Sequence, residues 1–264
     1  MNDKIQKSLA ASLEVEEKLL PYVSYLLQDL WSLGSSVDQI LEFIDSLHLP
    51  SATASILDLG CGKGAVCVPI ASKFGCKVVG VDFMSEFLED ARNKATEFHV
   101  SHLCSFIKHD ILDFVVDEHE FDVVILASLG GIFETFKNTV AKLRTQVKVG
   151  GYIVIDDGYL RNRNNLSRKG YGHYRNHETT LRELTAFNDR LIAEINTTEF
   201  NRKINEEYLM LIQKRSQELI DQNPELEKDL RNYIHLQTEE CEILNNEIEG
   251  IIWVLQKEGG ITNP

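Results

Sequence analysis

The stretch Ile56-Leu-Asp58-Leu-Gly60-Cys61-Gly62-Lys-Gly64 places one acid and three glycines at alternate positions at the end of an apolar run. Glycines in that setting permit positive φ in a tight turn and let backbone amides approach a ligand with no Cβ in the way. Asp82 stands 22 positions after Gly60 and ends the next apolar run. From the carboxyl edge of a sheet, its carboxylate would accept hydrogen bonds from both hydroxyls of a ribose. Turn, strand context and acid together point to a nucleoside-cofactor site rather than a bare β-turn. Gly60-x-Gly62-x-x-Ala65 also satisfies the dinucleotide fingerprint, so a nicotinamide-dependent oxidoreductase stays open on these residues alone.

The elements that must hold this turn are short β-branched runs alternating with amphipathic segments. Strands are expected at Ser55–Leu59, Lys77–Asp82, Cys104–His109, Asp122–Ala127 and Tyr152–Asp156. Helical patterns lie near 64–74, 85–98 and 132–147. Gly75 stands where a C-terminal cap belongs and Ser85 where an N-cap belongs. Such alternation implies right-handed crossovers and a mostly parallel sheet covered on both faces, an α/β fold. Ahead of it, residues 1–50 read as an N-terminal helical cap. Ile5, Leu9 and Leu13 have helical spacing, Pro21 opens a second segment, and Ser36-Val-Asp-Gln39 forms a capping box.

Past Asp157 the pattern breaks into a loop-like stretch, Arg161–Arg175, with five basic and no acidic residues. Asn176 is placed to cap a helix to about Phe187, followed by strands at Arg190–Ile195 and Ile251–Gln256. Between those strands, residues 198–246 are helical, with Asn223-Pro224 as an internal start signal. The expected division is a helical cap at 1–50, a core at 51–197 and 247–258, and a two-helix insertion at 198–246. That insertion would serve the substrate side or a homodimer surface.

Composition narrows the function classes. The chain has 264 residues, 43% hydrophobic and 26% charged, enough for one sizeable core. Its net charge of −14 disfavours nucleic acid and anionic membrane surfaces as partners. No apolar run reaches the roughly 18 residues of a membrane-spanning helix, and the first residues lack a signal-peptide core. Five cysteines, none in C-x-x-C spacing, fit a reducing, cytoplasmic setting and give no metal site.

Taken as a set, the motifs resemble the class I S-adenosylmethionine-dependent methyltransferases. Ile56–Gly64 is similar to that family's first motif, and Val79-Gly-Val-Asp82-Phe83 to its second. Lys108-His-Asp110-Ile111 stands where an acid holds the adenine amino group, Phe121–Ser128 resembles the fourth motif, and Val149–Ile155 the turn and strand after it. The resemblance implies a Rossmann-like seven-stranded sheet, order 3-2-1-4-5-7-6, with strand 7 antiparallel. It also implies S-adenosyl-L-methionine as cofactor and S-adenosyl-L-homocysteine as product. Asp58 would then face the methionine ammonium, and Gly60, Cys61, Gly62 and Gly64 would form the turn. Asp82 would hold the ribose, with Phe83, Met84, Asp110 and Ile111 around the nucleoside. Ser128 and Leu129 would line the methyl-transfer face.

Methyl transfer from a sulfonium needs alignment and exclusion of water, and a base only if the acceptor must lose a proton. Asp156-Asp157, at the active edge of its strand, offers an acid to orient or deprotonate an acceptor. Asp157 and His177 are the candidate catalytic residues, and Tyr171, His173 and Tyr174 the candidate substrate pocket. Trp31-Ser-Leu-Gly34 is a candidate cover for the cofactor mouth. Ala127-Ser-Leu-Gly-Gly131 lacks the proline and aromatic with which amino-adenine methyltransferases grip a flipped base. A small-molecule acceptor is therefore expected over RNA. A non-catalytic cofactor-binding module is the alternative of a different class.

Overall fold

A parallel strand buried on both faces reads as a continuous apolar run, and β1 (Ser55–Leu59) and β4 (Phe121–Ala127) are written that way. The computed structural model describes residues 10, 13, 15–50, 53–162, 166, 168 and 170–259. Ile5 and Leu9, and residues 163–165, 167 and 169 of the basic stretch, lie outside the described residues.

The elements run α1 (Val37–Ser46), β1, α2 (Cys67–Phe74), β2 (Lys77–Asp82), α3 (Ser85–Glu97), β3 (Cys104–Lys108), β4, α4 (Phe136–Arg144), β5 (Val147–Leu160), α5 (His177–Leu184), β6 (Arg190–Asn196), then α6 (Thr198–Gln222), α7 (Glu227–Glu247) and β7 (Ile248–Gln256). One sheet holds all seven strands in the order β3-β2-β1-β4-β5-β7-β6. β7 is antiparallel to both its neighbours, β5 and β6. Trp253, fully buried on β7, packs edge-on against Phe136 with ring centroids 5.2 Å apart. With Leu57, Val124 and Ile153 it belongs to the main core.

Several expectations shift by local chemistry. β5 runs from Val147 to Leu160 instead of stopping at Asp156, because its pairing with β7 continues from Tyr152↔Gln256 to Leu160↔Ile248. Gly158 permits this close approach: a Cβ there would lie 2.4 Å from Ile248 Cγ2 and 2.6 Å from the Glu249 carbonyl. Gly75 does end α2, at φ +67°. Ser85 is not the cap of α3; Met84 is, and the amide of Met84 donates to Asp82 Oδ1 at 2.8 Å. Asn176 caps α5 by accepting from the Thr179 amide at 2.9 Å. Ser36 precedes α1 but makes no capping bond, its hydroxyl being committed elsewhere.

The chain divides into two compact units, residues 32–198 with 247–264 and residues 1–31 with 199–246. Residues 32–50 thus group with the sheet rather than with the N-terminal cap, and the rest of that cap groups with the insertion. Within the helical unit, Pro21 does not open a second helical segment but lies inside a 3-10 turn, Glu17–Tyr22, followed by one α-turn, Val23–Leu26. Arg215 forms a two-pronged pair with Asp29 at 2.6 and 2.7 Å, and Tyr25 donates to Glu218 at 2.6 Å. These contacts tie the N-terminal segment to α6. Tyr208 donates to Gln237 at 2.6 Å, joining α6 to α7. No helix among the described residues is long and apolar enough to cross a membrane.

Because Trp253 is fully enclosed and bridges β7 to α4, Trp253→Ala should lower unfolding free energy by about 3–5 kcal/mol. A denaturant titration followed by circular dichroism measures it.

Candidate functional site

The turn after β1 is held by its own backbone. The amides of Gly60 and Cys61 both donate to the Val81 carbonyl, at 2.8 and 3.0 Å. The Gly62 amide donates to Asp82 Oδ2 at 2.9 Å, and the Gly64 amide to the Cys61 carbonyl at 2.8 Å. These four amides are therefore not aimed at a ligand, contrary to the expectation from glycine spacing. Two glycines have other reasons to be there. At Gly60, φ is +75° and a Cβ would meet Leu129 Cδ1 at 2.3 Å, so Leu129 lies directly on its Cα. At Gly64 a Cβ would press on Ala91 Cβ of α3 at 3.0 Å, which makes it a helix-packing residue. Cys61 turns its buried side chain toward Gly80, where a Cβ would lie 2.7 Å from its sulfur. Its thiol also reaches back to the Gly62 carbonyl, at 3.8 Å.

Asp58 is 2% exposed, and its described hydrogen bond comes from the Cys67 thiol at 3.1 Å. Burial pushes its carboxyl up to about 7, a shift that the thiol opposes and nearby Asp82 adds to. A buried carboxylate facing no cation is costly, and an ammonium placed against it would relieve that cost. Asp58 pairs in register with Gly80, and Asp82 lies two residues further along β2, so both acids share a face of the sheet. Asp82 ties the two turns together by accepting from Gly62 and Met84. A carboxylate has about four lone-pair sites, which leaves capacity for ribose hydroxyls. Burial raises its pKa, and the amides of Met84, Gly62 and Phe83 counter that rise.

Phe83 is half-buried with Lys108 Nζ 5.8 Å from its ring centroid, and Met84 is buried. Asp110 caps the short helix Ile111–Phe114 by accepting from the Leu112 amide at 2.8 Å, so one of its oxygens is already engaged. Ile111 is buried in the core cluster beside Val81. Ser128 takes φ +56°, an uncommon conformation for a non-glycine residue, with its amide on the Asp156 carbonyl at 2.9 Å. That turn sends Leu129 over Gly60.

A strap at 32–36 crosses the same region. A Cβ on Gly62 would lie 3.5 Å from Leu33 Cδ1, and one on Gly34 would lie 3.4 Å from Ser128 Cβ. The strap is pinned by Asp156, whose carboxylate accepts from the Ser36 amide at 2.6 Å and its hydroxyl at 3.2 Å. Asp156 is 2% exposed; burial pushes it up to about 7, the Ser36 bonds pull it down, and Asp157 raises it. The sequence shows these partners 120 positions apart, and the only signal at Ser36 suggested a helix cap.

Asp157 points to the opposite face from Asp156 and meets His173, not His177. His173 Nε2 lies 3.4 Å from Asp157 Oδ2. His177 instead contacts Glu194 at 2.7 Å and leans on the Tyr159 ring, because its position at the start of α5 puts it beside Tyr159, two residues past Asp157. Tyr171 and Tyr174 are buried and pack with His173 at ring distances of 6.5 and 4.0 Å. With Leu166, Gly172 and Arg175 they line an open cavity of about 440 Å³. Among the described residues, no group of three or more His, Cys, Asp or Glu side chains gathers to hold a metal ion.

A 3-2-1-4-5-7-6 sheet with an antiparallel seventh strand, and a glycine turn flanked by two acids, define the class I S-adenosylmethionine-dependent methyltransferases. A model of the methyltransferase domain family matches residues 50–233, and the chain belongs to that family. A methyltransferase from Geobacter sulfurreducens, solved with S-adenosyl-L-homocysteine, superposes with a TM-score of 0.76 at 16% identity, covering 90% of this chain and 98% of that one. YjhP of Escherichia coli is 32% identical over 106 residues, 40% of this chain and 42% of that protein. Its solved structure superposes with a TM-score of 0.71, covering 89% of this chain and 98% of that one at 17% identity. A sterol 24-C-methyltransferase of Kluyveromyces lactis is 28% identical over 100 residues, 38% of this chain and 27% of that protein. The aligned segments thus span well under two thirds of these two curated relatives.

Asp58 gives a signed prediction. Its carboxyl holds its proton more tightly when folded, so its burial costs stability increasingly as pH rises from about 4 to about 7. Asp58→Asn should therefore melt higher than the parent at pH 8 and about equally at pH 4. The same variant should bind S-adenosylhomocysteine at least tenfold more weakly by calorimetry, as expected for loss of a charged hydrogen bond.

Proposed function

We propose that the protein transfers a methyl group from S-adenosylmethionine to a small-molecule acceptor. The observation that carries this reading is Asp58, a buried carboxylate beside the glycine turn that pairs with no cation among the described residues and suits the methionine ammonium. Bound there, the donor supplies an activated methyl on a sulfonium. The chain's own part is alignment. Asp58 would fix the amino acid end and Asp82 the ribose, with Asp110, Ile111, Phe83 and Met84 around the base. Leu129 on Gly60 and the strap at 32–36 would restrict water near the transferring carbon.

A nicotinamide dinucleotide suits these residues less well. Its pyrophosphate needs backbone amides directed at it, whereas those of Gly60, Cys61, Gly62 and Gly64 are bonded within the protein. Asp58 beside that turn would also repel phosphate. The net charge of −14 supports a small molecule over RNA, and the sterol methyltransferase match is consistent with that choice.

S-Adenosylhomocysteine should raise the melting temperature, and NAD should not; a shift with NAD alone would sink the reading. Asp82→Ala should weaken S-adenosylhomocysteine binding by roughly 1–3 kcal/mol in calorimetry. Methyl-labelled donor incubated with a metabolite extract should yield a labelled small product. Tight cofactor binding with no transfer to any extract component would instead mark a non-catalytic module.

A further inference from the structure

Asp157 and His173 reach one point from two different elements. Asp157 lies on β5 beyond its pairing with β4, and His173 lies in the connection that leads to α5. His173 is 5% exposed, and its ring is clamped in place. It lies on the glycine pair after Leu129: a Cβ on Gly131 would be 2.5 Å from Nδ1, and one on Gly130 would be 3.6 Å from Cε1. Phe136 meets it edge-on at 5.9 Å, and Tyr174 packs at 4.0 Å. The loop that carries Leu129 onto Gly60 therefore also carries the floor beneath His173.

The hydrogen bonding of the ring is uneven. Nδ1 lies 3.1 Å from the Gly170 carbonyl, an acceptor, so Nδ1 carries a hydrogen. In the neutral ring Nε2 then presents a lone pair. That atom is sealed from solvent and has no hydrogen-bond partner among the described residues, with Asp157 Oδ2 3.4 Å away. With the ring neutral and the carboxyl ionised, two acceptors would face each other there. Both side chains are largely enclosed, Asp157 at 8% and His173 at 4% exposed.

We propose that Asp157 receives the hydrogen of a protic acceptor and that the proton passes to His173 Nε2. This assigns the acceptor to hydroxyls, thiols or protonated amines rather than carbon nucleophiles, and it rests on the methyl-transfer reading above. In the step, the acceptor's bond to the methyl carbon forms as the sulfur–methyl bond breaks, its electron pair going to sulfur. The acceptor's bond to hydrogen breaks, and the proton ends on Nε2. The resulting imidazolium donates to the Gly170 carbonyl through Nδ1 and to the Asp157 carboxylate through Nε2. Asp157 is the catalytic residue in this scheme, and His173 positions it and stores the proton.

The test uses the full chain, its Asp157→Asn and His173→Gln variants, methyl-labelled S-adenosylmethionine and a metabolite extract. The label should appear on oxygen, sulfur or nitrogen of the product. Both variants should lose at least 100-fold in kcat while binding S-adenosylhomocysteine within about threefold of the parent. Label on carbon, or either variant turning over at the parental rate, overturns the proposal. A second readout needs no turnover: the imidazole ¹⁵N signals of His173 should show the Nδ1–H ring, and Nε2 should shift in Asp157→Asn, whose amide donates to it. A protonated Nε2 beside a bare Nδ1, or an Nε2 signal indifferent to Asp157→Asn, also overturns it. If the parent fails to bind S-adenosylhomocysteine, the methyl-transfer reading itself fails, and the ¹⁵N readout still judges the pair.

Discussion

A carboxylate buried at the end of β1, with no cation paired to it among the described residues, is the constraint around which the cofactor side of this protein is arranged. Asp58 is shielded from bulk solvent, and the thiol of Cys67 gives it only a weak donor. Among the described residues, the charged neighbour that acts on it is another acid, Asp82. Asp82 lies on the same face of the sheet, and Asp156 does too, because Asp58 pairs with Ile125, Ile125 with Val154, and Asp156 follows two residues on. One edge of the sheet therefore carries three acids on one face. A fold accepts that cost where a ligand of opposite charge repays it.

The other two acids are employed in holding backbone. Asp82 joins the β1 turn to the start of α3, and Asp156 holds the strap through Ser36. Each thereby becomes a positioning residue as well as a charge. Losing either should disturb the site by releasing a segment, whether or not the cofactor touches that carboxylate.

Much of this was legible in the sequence. Strand-length apolar runs bounded by Gly60, Gly75 and Asp82 located β1, α2 and β2, and family resemblance supplied the strand order. Asn176 was readable as a cap because that bond is local, reaching only Thr179. Ser36 does occupy the N-cap position of α1, but the capping box does not form, because its hydroxyl goes to Asp156, a partner distant in sequence. His177 and His173 could not be ranked beside Asp157, because only three residues separate them and the path of the connection decides which one turns inward.

The sequence by itself determined the alternation of strand and helix, the glycine turn and the acid after it, since these rest on periodicity and on residue types with fixed backbone preferences. Only the tertiary structure decided what the turn's amides bond to, that Leu129 covers Gly60, that Asp156 and Asp157 face opposite sides, and that His173 meets Asp157. Those facts depend on register and side-chain direction between elements far apart in the chain. A hydrogen bond or a burial is a property of such a meeting, not of either residue alone.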